Sequence, residues 1–180
     1  LSLNDTSGQE RDRFEIHMNS GTAQGSHPNK LGMRIHPSGA MARPNQPMFF
    51  ALDAQGGGYP GSAYYNINSS NIIIDTSSGY ISSGTYQGGY EVPVDGVYMC
   101  IMNGLVYQLG ENSFAQTRFT RNGSQYGRVI QFNGNSGNHT NHSHAILMNC
   151  SAGDDINQQI WTNQGGAYSN QWHFIVYLIG

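Results

Sequence analysis

A chain of 180 residues with a formal net charge of −3 has room for one full β-sandwich and a short extension, but not for two ordinary globular domains. Only 11% of its residues are charged, and eight lysines and arginines in all leave no basic patch able to release many counterions, which excludes nucleic acid as a partner. The longest apolar run, Phe174 to Ile179, is far shorter than the roughly 20 residues that span a bilayer, which excludes insertion as a membrane helix.

The surface is polar through amides and hydroxyls, with 24 Gly, 18 Asn and 18 Ser. Eleven Tyr, seven Phe and two Trp supply the apolar area that disordered chains lack, so the Gly and Asn read as turns. The opening Leu1-Ser-Leu-Asn-Asp5 shows neither an initiator Met nor the regions of a signal peptide, and reads as part of something longer. Residues 1–46 hold two extended pieces, Arg13 to Met18 and Leu31 to His36, among Asn, Gly, Pro and His punctuation. They have too few large apolar residues for a core of their own. A neck ordered by packing against copies of itself is expected, a flexible leader being the alternative.

From Pro47 to Gly180 the pattern is all-β, with short apolar runs between Gly, Asn and Ser clusters and no sustained helical period. Met48 to Leu52, Val97 to Met102, Ala145 to Met148 and Trp172 to Ile179 are apolar on both alternating faces, which marks strands buried on both sides. Thr117 to Arg121, Arg128 to Phe132 and Ile156 to Ile160 mix polar with apolar positions, as strands with one wet face do. Asn122-Gly123 is a favoured two-residue hairpin turn between two of these. A sandwich follows, with an inner sheet covered twice and an outer sheet covered once. Without helices to cover the inner sheet's second face, another copy of the chain is the simplest cover. Phe49, Tyr98, Leu147, Ile175 and Tyr177 are the expected interface residues. Cys100 and Cys150 each sit in an apolar run, which suits buried free thiols, with a bridge left open.

Three stretches carry a family resemblance. Tyr90-Glu-Val-Pro-Val-Asp-Gly-Val-Tyr98 resembles the aromatic-x-x-Pro-x-x-Gly-x-Tyr signature of complement- and tumour-necrosis-factor-like heads. Ala145 to Asp154 is similar to that family's apolar strand and Gly-Asp turn, and Phe174-Ile-Val-Tyr-Leu-Ile179 to its last strand. Val176 stands where that strand usually has Gly. The resemblance covers residues 47–180 and implies a ten-stranded jelly-roll β-sandwich that forms homotrimers. Leu31-Gly-Met-Arg-Ile-His-Pro-Ser-Gly39, running on through Arg43-Pro-Asn-Gln-Pro47, resembles the Met-Arg-Ile-x-x-Ser-Gly junction of structural proteins of tailed bacteriophages, between fibre shaft and head.

Candidate chemistry is sparse. Asp154-Asp155, the sole adjacent acidic pair, falls at a turn, and neighbouring strand residues point to opposite faces, so it suits a Gly-Asp turn better than acid/base work. No nucleophile elbow, phosphate-binding loop or Cys-x-x-Cys occurs, and no catalytic residue or cofactor is expected. His142 and His144 lie in phase on one strand. The phage-fibre resemblance implies that three chains bring such a His-x-His to an octahedral ion on a threefold axis. The alternation instead groups both with Ile146, Met148 and Cys150 on the core face, and a pair supplies few ligands. Tyr59, Tyr64, Tyr65 and Tyr168, among Gly, Pro and Asn, are candidate receptor contacts, since Tyr and Asn stack on and hydrogen-bond to sugars or peptides at small entropic cost. Covering the ends of the sandwich is their alternative role.

The expectation is a non-enzymatic trimeric head on a virion fibre or appendage, assembled in the host cytoplasm. Its partners would be neighbouring virion proteins and a host-surface glycan or protein. A secreted or spore-surface complement-like module and a fibre-borne glycan hydrolase are the rivals. The first needs upstream signal or collagen-like sequence, the second a facing carboxylate pair.

Overall fold

Alternating apolar residues and frequent turn formers dictate strands throughout, and every regular element among the described residues is a strand. The computed structural model describes residues 14–18, 30–36, 38–43, 45–52, 58–135, 139–165 and 167–179, and the side chains of these except at 14–18, 30–32, 42 and 167–170. The chain divides into two compact units, Leu1–Gln46 and Pro47–Gly180. In the first, β1 (Phe14–Met18), β2 (Lys30–Ile35) and β3 (Met41–Ala42) form an antiparallel sheet in the order β1-β2-β3. The two extended pieces of the neck therefore pair with each other. The Ser38-Gly39 end of the junction motif is the turn into β3, closed by His36 N–H donating to Ala40 O and Gly39 N–H to His36 O, each at 2.8 Å.

The second unit is a sandwich of two antiparallel sheets. Five strands form one, β6 (Tyr65–Asn66), β8 (Tyr90–Glu91), β10 (Phe114–Arg121), β11 (Ser124–Asn133) and β13 (Asp155–Thr162), ordered β11-β10-β13-β6 with β8 also on β13. The other holds six, β4 (Met48–Leu52), β5 (Gly58–Tyr59), β7 (Asn71–Asp75), β9 (Gly96–Tyr107), β12 (His139–Cys150) and β14 (Ala167–Leu178), ordered β12-β9-β14-β4-β7 with β5 on β14. The described residues thus give this unit eleven strands where ten were expected, and β5, β6 and β8 are only two residues long. The four runs apolar on both faces all lie in the six-stranded sheet, and the three mixed runs lie in the five-stranded one.

Register explains the packing. Ile146, Cys100, Val176 and Phe49 stand side by side across β12, β9, β14 and β4, as do His144, Met102, Phe174 and Ala51. Both rows face the other sheet. Phe49 stacks on Tyr90 with ring centres 5.0 Å apart and meets Phe174 edge-on at 5.5 Å. Phe119 of the five-stranded sheet closes on Phe174 from the opposite side, at 6.4 Å. Each such ring removed from water contributes about 1.5–3 kcal/mol.

The signature residues and the Gly-Asp turn brace each other. Tyr90 and Val92 are buried. Val92 N–H donates to Asp154 O and Gly153 N–H to Val92 O, both at 2.8 Å, while the Tyr98 hydroxyl donates to Val94 O at 2.9 Å. Asn122 (φ 51°) and Gly123 (φ 76°) make the two-residue turn between β10 and β11, the left-handed pair for which Asn-Gly is suited. Cys100 and Cys150 are free and buried. Cys100 pairs with Ile146 in the β9–β12 ladder, four positions from Cys150, roughly 14 Å along the strand and beyond disulfide reach. Burial pushes the Cys150 thiol up to about 11.

Candidate functional site

The six-stranded sheet turns two apolar rows away from the sandwich. Leu147, Met99, Tyr177 and Met48 form one, and Ala145, Ile101, Ile175, Phe50 and Ile74 the next. Leu147 is 54% exposed, and Met99, Ile101, Ile175, Tyr177 and Phe50 remain half-buried. Of the five expected interface residues, Leu147, Ile175 and Tyr177 lie on this face. Phe49 and Tyr98 do not. Both are 0% exposed in the protomer's own core, because Tyr98 pairs with Met148 and Phe49 with Val176, members of inward rows.

Beyond the second apolar row the face becomes polar, with Ser143, Asn103, His173, Leu52 and Asn71 side by side. A groove of about 460 Å³ opens here, lined by Asn103, Leu105, Asn141, Ser143, Gln171 and His173 among others. It lies beside a bulge in β14, where Asn170 pairs with Leu105 but His173 with Asn103, leaving one extra residue on β14. Gln171 takes φ 54° and Trp172 is buried against Gly104, where a Cβ would come within 2.5 Å of the indole and 2.9 Å of the Trp172 Cα. Only Gly admits the ring there.

His142 and His144 point into the sandwich, 8% and 6% exposed. His142 Nε2 is 2.6 Å from Thr117 Oγ1 and its ring stacks on Phe132 at 4.4 Å, while the His144 ring lies 5.1 Å from Phe119. Both rings thus face this chain's own core, with centres 6.4 Å apart, and not the outward face of the sheet. This inward placement does not fit a threefold metal site, which needs both rings to face other copies of the chain. Desolvation, with the neighbouring His144 adding to it, lowers the His142 pKa to about 4, and desolvation lowers that of His144 as well.

The tyrosines separate by strand parity. Tyr59 is 5% exposed and packs 6.1 Å from Tyr65, itself half-buried against the core, so both take the alternative role of covering the margin of the sandwich. The Tyr168 backbone pairs with Gly58, and its side chain lies outside the described residues. Among the described side chains of these four, Tyr64 is the one that reaches the outer face of the five-stranded sheet. Its hydroxyl donates to Gln116 Oε1 at 2.8 Å and Arg118 lies 3.6 Å above its ring. Arg118 Nε donates to Gln159 Oε1 at 2.8 Å, and Gln159 Nε2 to Asn66 Oδ1 at 2.9 Å. Trp161, paired with Gln116, stands beside this cluster with Phe114 at 5.2 Å. Sequence reading passed over Trp161 and Arg118. Their signal was the outward parity they share with Gln116 and Gln159.

Asp154 and Asp155 build the turn. Asp154 Oδ2 accepts from Ser151 N–H at 2.8 Å and Oδ1 from Asn122 Nδ2 at 2.7 Å, and Arg121 lies 3.9 Å away. The Ser151 bond leads in holding the Asp154 pKa below its usual value, whereas desolvation, with Glu91 and Asp154 nearby, raises that of Asp155. Among the described residues no three His, Cys, Asp or Glu gather as a metal site, and no helix is long and apolar enough to cross a membrane.

No family model matches the chain, and no curated protein matches it. Solved structures do. The globular domain of zebrafish complement 1qA protein is 13% identical with a TM-score of 0.55, over 75% of this chain and 98% of that one. Murine APRIL at pH 8.0 is 10% identical with a TM-score of 0.57, over 74% and 99%. The vertex protein of the phage PRD1 is 14% identical with a TM-score of 0.53, over 75% and 98%. Likeness at this level concerns fold: residues 47–180 form a complement- and tumour-necrosis-factor-like jelly roll. The same architecture serves a phage vertex protein.

Proposed function

We propose that the chain is the trimer-forming head of a virion fibre or appendage, which binds a host surface or neighbouring virion proteins without catalysing a reaction. The observation that carries it is the outward face of the six-stranded sheet, where two apolar rows centred on Ile101 and Ile175 lie open on the protomer. Adjoining apolar rows left in contact with water, with Leu147 54% exposed, mark an interaction surface, and a second and third copy of the same chain cover it with closed symmetry. The phage junction motif ahead of the head and the likeness to a phage vertex protein support the virion assignment over a secreted module. Asp154 and Asp155, the adjacent acidic pair, are engaged in building a turn, which supports binding over hydrolysis.

Sedimentation equilibrium tests the assembly. Trimers at micromolar concentration are expected, and a stable, well-folded monomer would overturn the reading. For activity, pure protein should release no reducing ends from host-surface polysaccharide. Release that is lost on changing one carboxylate would reverse the non-enzyme assignment.

A further inference from the structure

We propose that the outer face of the five-stranded sheet carries a binding site for a carboxylate-bearing saccharide, with the sugar ring on Trp161 and Phe114 and its carboxylate on Arg118. This deepens the attachment reading and rests on it.

The argument starts from Arg118. Its guanidinium is held from two sides, by the Tyr64 ring 3.6 Å beneath it and by the bond from Nε to Gln159 Oε1. Gln159 is held in turn by Asn66, and Asn66 Nδ2 donates to Thr85 O at 2.8 Å. The far side of Tyr64 is fixed through Gln116, whose Nε2 donates to Gln131 Oε1 at 3.2 Å. Among the described residues these links leave the two terminal nitrogens of Arg118 without a hydrogen-bond partner. Among the described residues Arg121 pairs with Asp154, and Arg118 has no carboxylate partner. A cation fixed in this way suits bidentate capture of a carboxylate and has already lost the rotamer freedom that binding would otherwise cost.

The second half of the site is apolar. Trp161 and Phe114 lie 5.2 Å apart on the same outward parity, only half-buried although large. A sheet face meant only for water gains nothing from holding a tryptophan there, whereas the C–H face of a pyranose stacks well on such a ring. Gln116, opposite Trp161 in the ladder, joins the two halves.

Binding is measured by calorimetry with an oligogalacturonate hexamer and with sialylated lactose, against carboxyl-reduced and unsialylated counterparts and a sulfated galactan oligomer. At least one carboxylated probe should bind ten-fold or more tightly than its neutral counterpart. Arg118→Gln should reduce it to the neutral level, Arg118→Lys should fall between because the fork is lost, and Trp161→Ala should weaken it at least ten-fold. Melting temperature and sedimentation on the same samples show that each variant is folded and assembled. No preference for either carboxylated probe, equal binding of the sulfated oligomer, or unchanged binding by Arg118→Gln overturns the proposal. Since the site lies within one protomer, loss of the trimer alone leaves it standing, and a trimer that ignores carboxylated sugars rejects the site while sparing the assembly reading.

Discussion

The two sheets of the head share one core and differ in what they do with their other faces. The six-stranded sheet leaves Leu147, Met99, Ile101, Ile175 and Phe50 on its outward rows with no side-chain hydrogen bonds to spend. The five-stranded sheet lays Gln131, Gln116, Tyr64, Arg118, Gln159 and Asn66 across its strands in linked side-chain bonds. An apolar face lowers its free energy only by leaving water, so it calls for another surface. A face whose polar groups are already tied to one another is stable in water and rigid, which suits recognition of a small ligand. On the proposed reading, one sheet serves assembly and the other binding.

The sharpest way to break that contrast is a charge at the centre of the apolar face. Ile175→Asp places a carboxylate where it would be buried without a partner and should abolish the trimer, which sedimentation velocity reads directly. A wild-type-like trimer from this variant would falsify the assignment of that face. Next in size is Gly104→Ala, which drives a methyl into the Trp172 ring and backbone. Overpacking of this kind costs about 1–3 kcal/mol, so the urea midpoint should fall without a change in slope, and an unchanged midpoint would mean that the bulge is loose.

A graded effect lies between the sheets, at the buried histidines. The fold favours neutral His142, with its pKa near 4, whereas the unfolded chain titrates near 6.5. Between those values the unfolded state binds the proton and the native state does not, so stability is complete above about pH 6.5 and falls as the pH drops toward 4. His144 acts in the same direction. Melting temperature measured across this window should decline toward acid, and His142→Gln should flatten the decline. A flat wild-type profile would place the imidazoles in water. The smallest effect belongs to the wet face. Arg118→Ala removes a partly exposed cation–π contact and one hydrogen bond, and should cost less than about 1 kcal/mol with no change in assembly.

The sequence showed which strands share a sheet, because an apolar run without polar interruptions differs from a mixed one whatever its neighbours do. It did not show phase. In Val97 to Met102 both alternating sets are apolar, so nothing local says whether Tyr98 or Met99 faces the core. The answer comes from register, since β12 carries an unambiguous inward set ending in Met148 and Cys150, and pairing Met148 with Tyr98 turns Tyr98 inward. Phe49 follows through Val176 in the same way. His142 and His144 were legible as core-facing because their parity with Met148 and Cys150 runs along a single strand. The loop tyrosines were not legible, since Tyr59 and Tyr65 are drawn inward by pairings with β14 and β13 that composition does not reveal. The cluster around Arg118 joins three strands distant in sequence, and only the fold brings them together.

The extra residue in β14 works as a phase break within one strand. From His173 to Leu178 the strand keeps the parity that aligns Ile175 and Tyr177 with β9 and β4, while Ala167 to Asn170 pair with β5 and β9 on their own count. An insertion or deletion near the tip can be absorbed at Gln171 and Trp172 instead of inverting the whole strand. The two ends of β14 are thereby set in register independently of each other, so a change of length at one end need not turn Ile175 and Tyr177 away from the outward face at the other.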